Sequence, residues 1–247
     1  MKPDVWSVNL EKGDHCWYAH IVELPGCFAR GESRGEVLNS LPAAIKKYSE
    51  FLEAHGLQQE ISSLEFDVVE EIHGISELGE AGGAVALFTS DKIPVTEKEL
   101  DFFLNLMQWN RQDLLTLVQA LPENIQNARP MPKKWTIKET LNHIANAEEW
   151  YISRLGATIQ KEYEMLIETP SSSQHKEIIF EHLKTIRNGA IQILRKAFSK
   201  KVGGSFTRAA YTTHPKEVWT FRKVLRRFIE HEREHIGTIE IVIFTLR

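Results

Sequence analysis

Cysteine, long apolar runs and, over the first third of the chain, positive charge are all scarce. Cys16 and Cys27 are the only cysteines among 247 residues. Two are too few for a disulfide scaffold, so reduced structural thiols are expected. No uninterrupted apolar stretch approaches the ~18 residues a membrane helix needs. The start, Met1-Lys2-Pro3-Asp4-Val5-Trp6, lacks the apolar segment of a signal peptide. No membrane partner and a cytoplasmic location are therefore expected. Residues 1–90 carry 6 Lys/Arg against 15 Asp/Glu, and this balance of −9 argues against binding to a phosphate backbone there. The remaining residues carry 24 and 19, and their +5 returns the chain to −4. That excess suits an anionic small molecule but is too diffuse for a nucleic-acid partner.

What is present is ordinary for a globular chain: 42% hydrophobic and 26% charged residues, which excludes disorder and collagen. Against about 150 residues per domain, the length suits two domains or one large one. Residues 5–10, 15–24 and 27–30 are rich in β-branched and aromatic side chains, broken by Lys12-Gly13-Asp14 and Pro25-Gly26. These breaks are turn chemistry between strands. From Ser33 onward Val37, Leu38, Leu41, Ile45, Tyr48, Phe51 and Leu52 recur at helical spacing. Gly56 stands where a C-terminal cap belongs, and Pro42 marks a bend. Residues 64–72 alternate as a further strand. The order expected is β-β-β-α-β.

That order resembles the HicB-like antitoxin fold, carried by WYAHIVELPG from Trp17, then Cys27-Phe28-Ala29 and Gly31-Glu32-Ser33 ahead of the helix. The DNA-binding segment that such antitoxins add is not recognisable here. The resemblance, over residues 1–72, therefore implies an interaction or ligand-sensing module with a protein partner. Residues 73–95, with Gly74, Gly79, Gly82 and Gly83, read as a linker containing one short strand at 84–88.

Residues 96–247 carry a helical period almost throughout. Thr96 with Glu99, and Thr136 with Glu139, each fit a capping box, in which hydroxyl and carboxylate reciprocally satisfy free N–H groups at a helix start. A third helix is expected at about 174–198 and a fourth at about 220–246, separated by a loop containing Gly203-Gly204 and His214-Pro215. The fold class expected is an α+β N-terminal domain followed by an all-α four-helix bundle.

On the last helix, Phe221, Val224, Leu225, Phe228, Ile236, Ile239, Val242, Ile243 and Leu246 form the apolar stripe. His231 and His235 lie on one edge of it and Glu232 near its centre, so both histidines face inward. Four-residue spacing stacks two imidazoles so that both can reach one metal ion. Ten histidines yield about 0.4 such pairs by chance, so spacing alone is weak. HEREH is also a literal HExxH. A metzincin needs a third histidine where this chain has Ile241, and a gluzincin needs a distant downstream carboxylate. The missing ligand must come from upstream. His143 is the best candidate, one turn into the second helix, and His175 and His182 follow.

WTIKETLNHIANAEEWYISRL from Trp135 and HEREHIGTI from His231 resemble the DinB/YfiT superfamily, in the expected order and over residues 96–247. The resemblance implies a four-helix bundle holding one divalent metal through His143, His231 and His235, with zinc or nickel favoured by imidazole ligation. It also implies homodimers and a small-molecule substrate. The activities it implies are a thiol-dependent S-transferase, with bacillithiol as the thiol cofactor, or a hydrolase. Ile236 and Thr238 stand where many members have Arg and Gln around the glycine, so substrate specificity does not carry over. A metal-binding sensor without turnover is the alternative.

Three further charges fall on inward faces: Arg111 on the first bundle helix, Glu148 on the second and Glu232 beside a ligand. A lone buried charge costs several kcal/mol, so pairing is expected. Arg111 is expected to pair with Glu148 in support of the metal ligands. That leaves Glu232 as a histidine's hydrogen-bond partner or as the catalytic general base. The last helix is apolar on more than one face toward its end, which also favours self-association.

Overall fold

Strands form where the sequence alternates, and the turn residues separate them as expected. The computed structural model describes residues 5–58, 64–131, 134–167 and 178–246. They divide into two units, one of residues 1–93 with 207–218 and one of residues 94–206 with 219–247.

In the first unit β1 (Trp6–Lys12), β2 (Trp17–Ile21) and β3 (Phe28–Gly31) precede α1 (Arg34–Ala54) and β4 (Phe66–His73). The sheet order is β3-β2-β1-β4, with β1 antiparallel to β2 and parallel to β4. The Ser33 side chain caps α1 by accepting from the Glu36 amide. Gly56, at φ 82°, ends it: Gly56 N donates to Glu53 O and Leu57 N to Leu52 O. This Schellman pattern needs a left-handed residue at Gly56. Pro42 stands inside α1 without ending it. Val37, Leu41, Ile45, Tyr48 and Leu52 are buried, and α1 packs on β2 and β3.

Residues 74–93 are a packed part of this unit, where a linker was expected. Leu78, Ala86 and Phe88 are buried. A Cβ on Gly13 would lie 2.6 Å from the Leu78 Cβ, so glycine permits that approach. Residues 84–88 form no strand. The Ala86 amide donates to Glu11 Oε2 at 2.7 Å, and the Val85 amide to Glu217 Oε1 at 3.1 Å. Amides committed to carboxylates are withdrawn from a ladder. Glu11 is itself buried and paired with His20 Nε2 at 2.9 Å. His214 Nε2 lies 3.1 Å from Glu77 Oε2, a second tie of residues 207–218 to this unit.

The second unit holds α2 (Glu97–Gln119), α3 (Glu123–Asn127), α4 (Ile137–Ser153), α5 (Ala157–Ile167), α6 (Ile178–Lys201) and α7 (Phe221–Leu246). A two-stranded pair of β5 (Ser205–Phe206) and β6 (Trp219–Thr220) precedes α7. Both capping boxes are present, Thr96 with Glu99 at α2 and Thr136 with Glu139 at α4. Each of α2 and α4 packs on both α6 and α7, which makes these four a bundle, while α5 covers α4 and α6. The expected start of the third bundle helix, at about 174, lies outside the described residues. The short α3 and α5 were not expected: each lacks the long periodic stripe by which a sequence announces a helix. No helix among the described residues is long and apolar enough to cross a membrane.

Candidate metal centre

α7 presents His231 and His235 one turn apart, and α4 presents His143 across from them. Their Nε2 atoms converge: His143 to His231 at 2.9 Å and His235 to His231 at 3.1 Å, with all three ligand atoms within 4.8 Å of one another. Burial holds the His143 ring below its usual pKa. Burial, and then the charges of His143 and Arg227, push His235 down to about 3. His231 lies well below the ordinary value, from burial and then the neighbouring histidines and Arg227. Three neutral rings therefore bring their Nε2 atoms together, each able to ligate in the tautomer that carries its proton on Nδ1.

This donor set fits a divalent ion. Metal–nitrogen bonds of about 2.0–2.1 Å set nitrogens roughly 3.3 Å apart on a tetrahedral shell and about 3.0 Å apart at adjacent octahedral positions. The two observed separations approach those edges. Neutral imidazole is the ligating form. All three histidines are half-buried, so the cluster is neither sealed nor fully open.

The histidine that the structure brings to the pair from upstream is His143. His182 is exposed and outside the cluster, and His175 lies outside the described residues. Ile241 is exposed to 67%, in keeping with its failure to serve as the third position of a metzincin.

Aromatic rings surround the cluster on two sides. Tyr151, buried on α4, sets its ring centroid 5.7 Å from that of His231 at 78°, and packs on Phe228 at 5.4 Å. Burial raises the Tyr151 pKa, against the opposing charge and hydrogen bond of Arg227. Trp135, just ahead of α4, has its centroid 4.7 Å from His143 and 6.4 Å from His235.

A buried ion-pair quartet joins the four bundle helices, one residue from each. Arg111 on α2 donates from Nε to Glu232 Oε1 at 2.6 Å and from Nη2 to Glu148 Oε1. Arg187 on α6 donates from Nη2 to Glu148 Oε1 and to Glu232 Oε2, each at 2.7 Å. Arg111 Nη1 also reaches Leu183 O, and Arg187 Nη1 reaches Met107 O. Two cations and two anions cancel, and the Leu183 and Met107 carbonyls accept from the two Nη1 groups, the condition under which charge survives burial. Desolvation pushes the Glu148 carboxyl up, and the charges of Arg111 and Arg187 outweigh it and hold it low.

The expected pairing of Arg111 with Glu148 is thus present. Glu232 is placed otherwise than expected. Both its oxygens accept from guanidinium groups, so it is an ion-pair member and its expected role as general base does not fit. Arg187 escaped the sequence reading. Its signal was a lone charge among Leu183, Ile186, Ala190 and Leu194, the same signal that singled out Arg111.

Residues 106–239 match the family model of the DinB superfamily. All three histidines and all four quartet residues fall within that span. Among solved structures, YfiT from Bacillus subtilis, described as "a probable metal-dependent hydrolase with an unusual four-helix bundle topology", is 15% identical to this chain, with a TM-score of 0.47. The similarity covers 66% of this chain and 94% of that one. No curated protein matches.

Proposed function

The chain belongs to the DinB superfamily, whose model spans more than half of it, and from that premise we propose that the bundle is a divalent-metal enzyme acting on a small molecule. The observation that carries this reading is the convergence of three neutral imidazole nitrogens at a half-buried position. Structural zinc sites close with four protein ligands, whereas catalytic ones keep three and leave a position open. His143, His231 and His235 would hold zinc or nickel. When bound, such an ion lowers the pKa of a coordinated water or thiol and polarises an acceptor oxygen. The protein's own part is to orient the three rings, which the quartet supports by tying α2, α4, α6 and α7 to one another. The reaction class is hydrolysis or, with a low-molecular-weight thiol such as bacillithiol, S-transfer.

Elemental analysis of the purified chain tests the metal: one ion per chain, lost in His143→Ala, His231→Ala and His235→Ala and kept in His182→Ala. Metal retained in His143→Ala and lost in His182→Ala overturns the ligand set. Ester hydrolysis and bacillithiol consumption with an electrophile then separate the two reaction classes.

The first unit supports a second reading, in which the metal is held without turnover. Its β-β-β-α-β order suits a HicB-like module with a protein partner. A loaded chain silent in both assays favours that reading. A homodimer belongs to either proposal: Ile241 and Phe244, three residues apart on α7, are exposed to 67% and 85%. Light scattering at micromolar concentration is expected to give twice 28.4 kDa.

A further inference from the structure

The histidine cluster has a buried side and an exposed side, and a different aromatic ring stands on each. Tyr151, against His231, is buried together with Phe228 behind it. Trp135, against His143 and His235, is exposed to 42%. Of these two rings only the indole reaches solvent, beside His143 and His235. Its ring is inclined only 26° to that of His235, with 6.4 Å between the ring centroids.

The backbone on either side of Trp135 is pinned. The Lys134 carbonyl accepts from Arg129 Nη1, and Arg129 Nη2 in turn holds Glu139 Oε1 at 2.6 Å. Thr136 is the N-cap of α4, with its amide donating to Glu139 Oε2 at 2.7 Å and its hydroxyl accepting from the Glu139 amide at 3.1 Å. A half-exposed tryptophan loses little freedom on meeting a ligand when its chain is already fixed. The part of the indole left exposed beside the two imidazoles is costly apolar surface that a ligand can cover.

Resting on the metal reading above, we propose that Trp135 determines specificity as a platform, selecting ligands that carry a metal-binding donor directly attached to a flat, aromatic or conjugated group. The donor goes to the ion held by His143, His231 and His235, and the flat group lies along the indole. An aliphatic ligand with the same donor gains only the first of these contacts.

Two probes with one chelating head separate the terms. Benzohydroxamate and acetohydroxamate are titrated calorimetrically into the full-length chain loaded with zinc. Benzohydroxamate is expected to bind about tenfold more tightly. That preference is expected to fall to within about twofold in Trp135→Ala and to persist in Trp135→Phe, which keeps a planar ring, while zinc stoichiometry stays the same in all three proteins. Should Trp135→Ala fail to hold zinc, Trp135→Leu, apolar but not planar, replaces it in the comparison. Zinc bound with no preference between the probes, or a preference that survives loss of the indole, overturns the platform and leaves the metal reading standing. Absence of bound zinc from the unsubstituted chain overturns both.

Discussion

At the scale of single residues, the second unit concentrates its energetic risk in four charges. Arg187 lies between Glu148 and Glu232 at 2.7 Å from each, with the side chain 1% exposed. Removing it strands a net negative charge in the interior, so Arg187→Met is expected to cost about 3–5 kcal/mol. Arg187→Met with Glu148→Met restores neutrality and is expected to recover much of that loss. Urea denaturation of the two single variants and the double variant checks the cycle, and strict additivity would count against a coupled quartet. The same groups set an acid limit. Because the two arginines hold the folded-state pKa of Glu148 below the unfolded value, its contribution is complete above the unfolded pKa and is lost as pH falls through the folded one. In Glu148→Gln the decline of the urea midpoint from pH 7 to pH 3 is expected to be shallower than in the unsubstituted chain.

At the scale of elements, caps and stripes were legible in the sequence, and side-chain destinations were not. Thr96 and Thr136 announce helix starts because a glutamate three residues on completes a local exchange of hydrogen bonds, which needs nothing from the rest of the chain. Replacing Thr136 by Ala is accordingly expected to cost about 1 kcal/mol in urea denaturation, and Thr136→Ser to cost little. His143 was legible as the upstream member of the cluster because facing and family blocks agreed with each other. Glu232 was misread because periodicity places a Cα on a face but does not say how far a carboxylate reaches, or toward which arginine. Arg187 carries the same signal as Arg111, a charge on an otherwise apolar stripe, and its partners are the same two carboxylates. The apolar run at 84–88 failed as a strand for a related reason: its amides answer to Glu11 and Glu217, two carboxylates far apart along the chain.

At the scale of the whole molecule, the proposed metal links ligand binding to unfolding. An ion that binds only the folded bundle raises stability by ~2.7 kcal/mol at one hundred times its dissociation constant. Added zinc is therefore expected to raise the thermal midpoint, EDTA to lower it, and both responses to vanish in His231→Ala, as scanning calorimetry would read. Neither unit is a continuous piece of sequence. Residues 207–218 belong to the first, although the bundle strands β5 and β6 lie on either side of them. Synthesis runs from the N-terminus, so the ribosome delivers the whole β-β-β-α-β stretch early and its final portion, with Glu217 for the Val85 amide and His214 for Glu77, only after residues 94–206 have been made. The first unit is thus finished only after most of the second has been made, and a nascent chain halted after α6 carries a first unit still waiting for its last contacts.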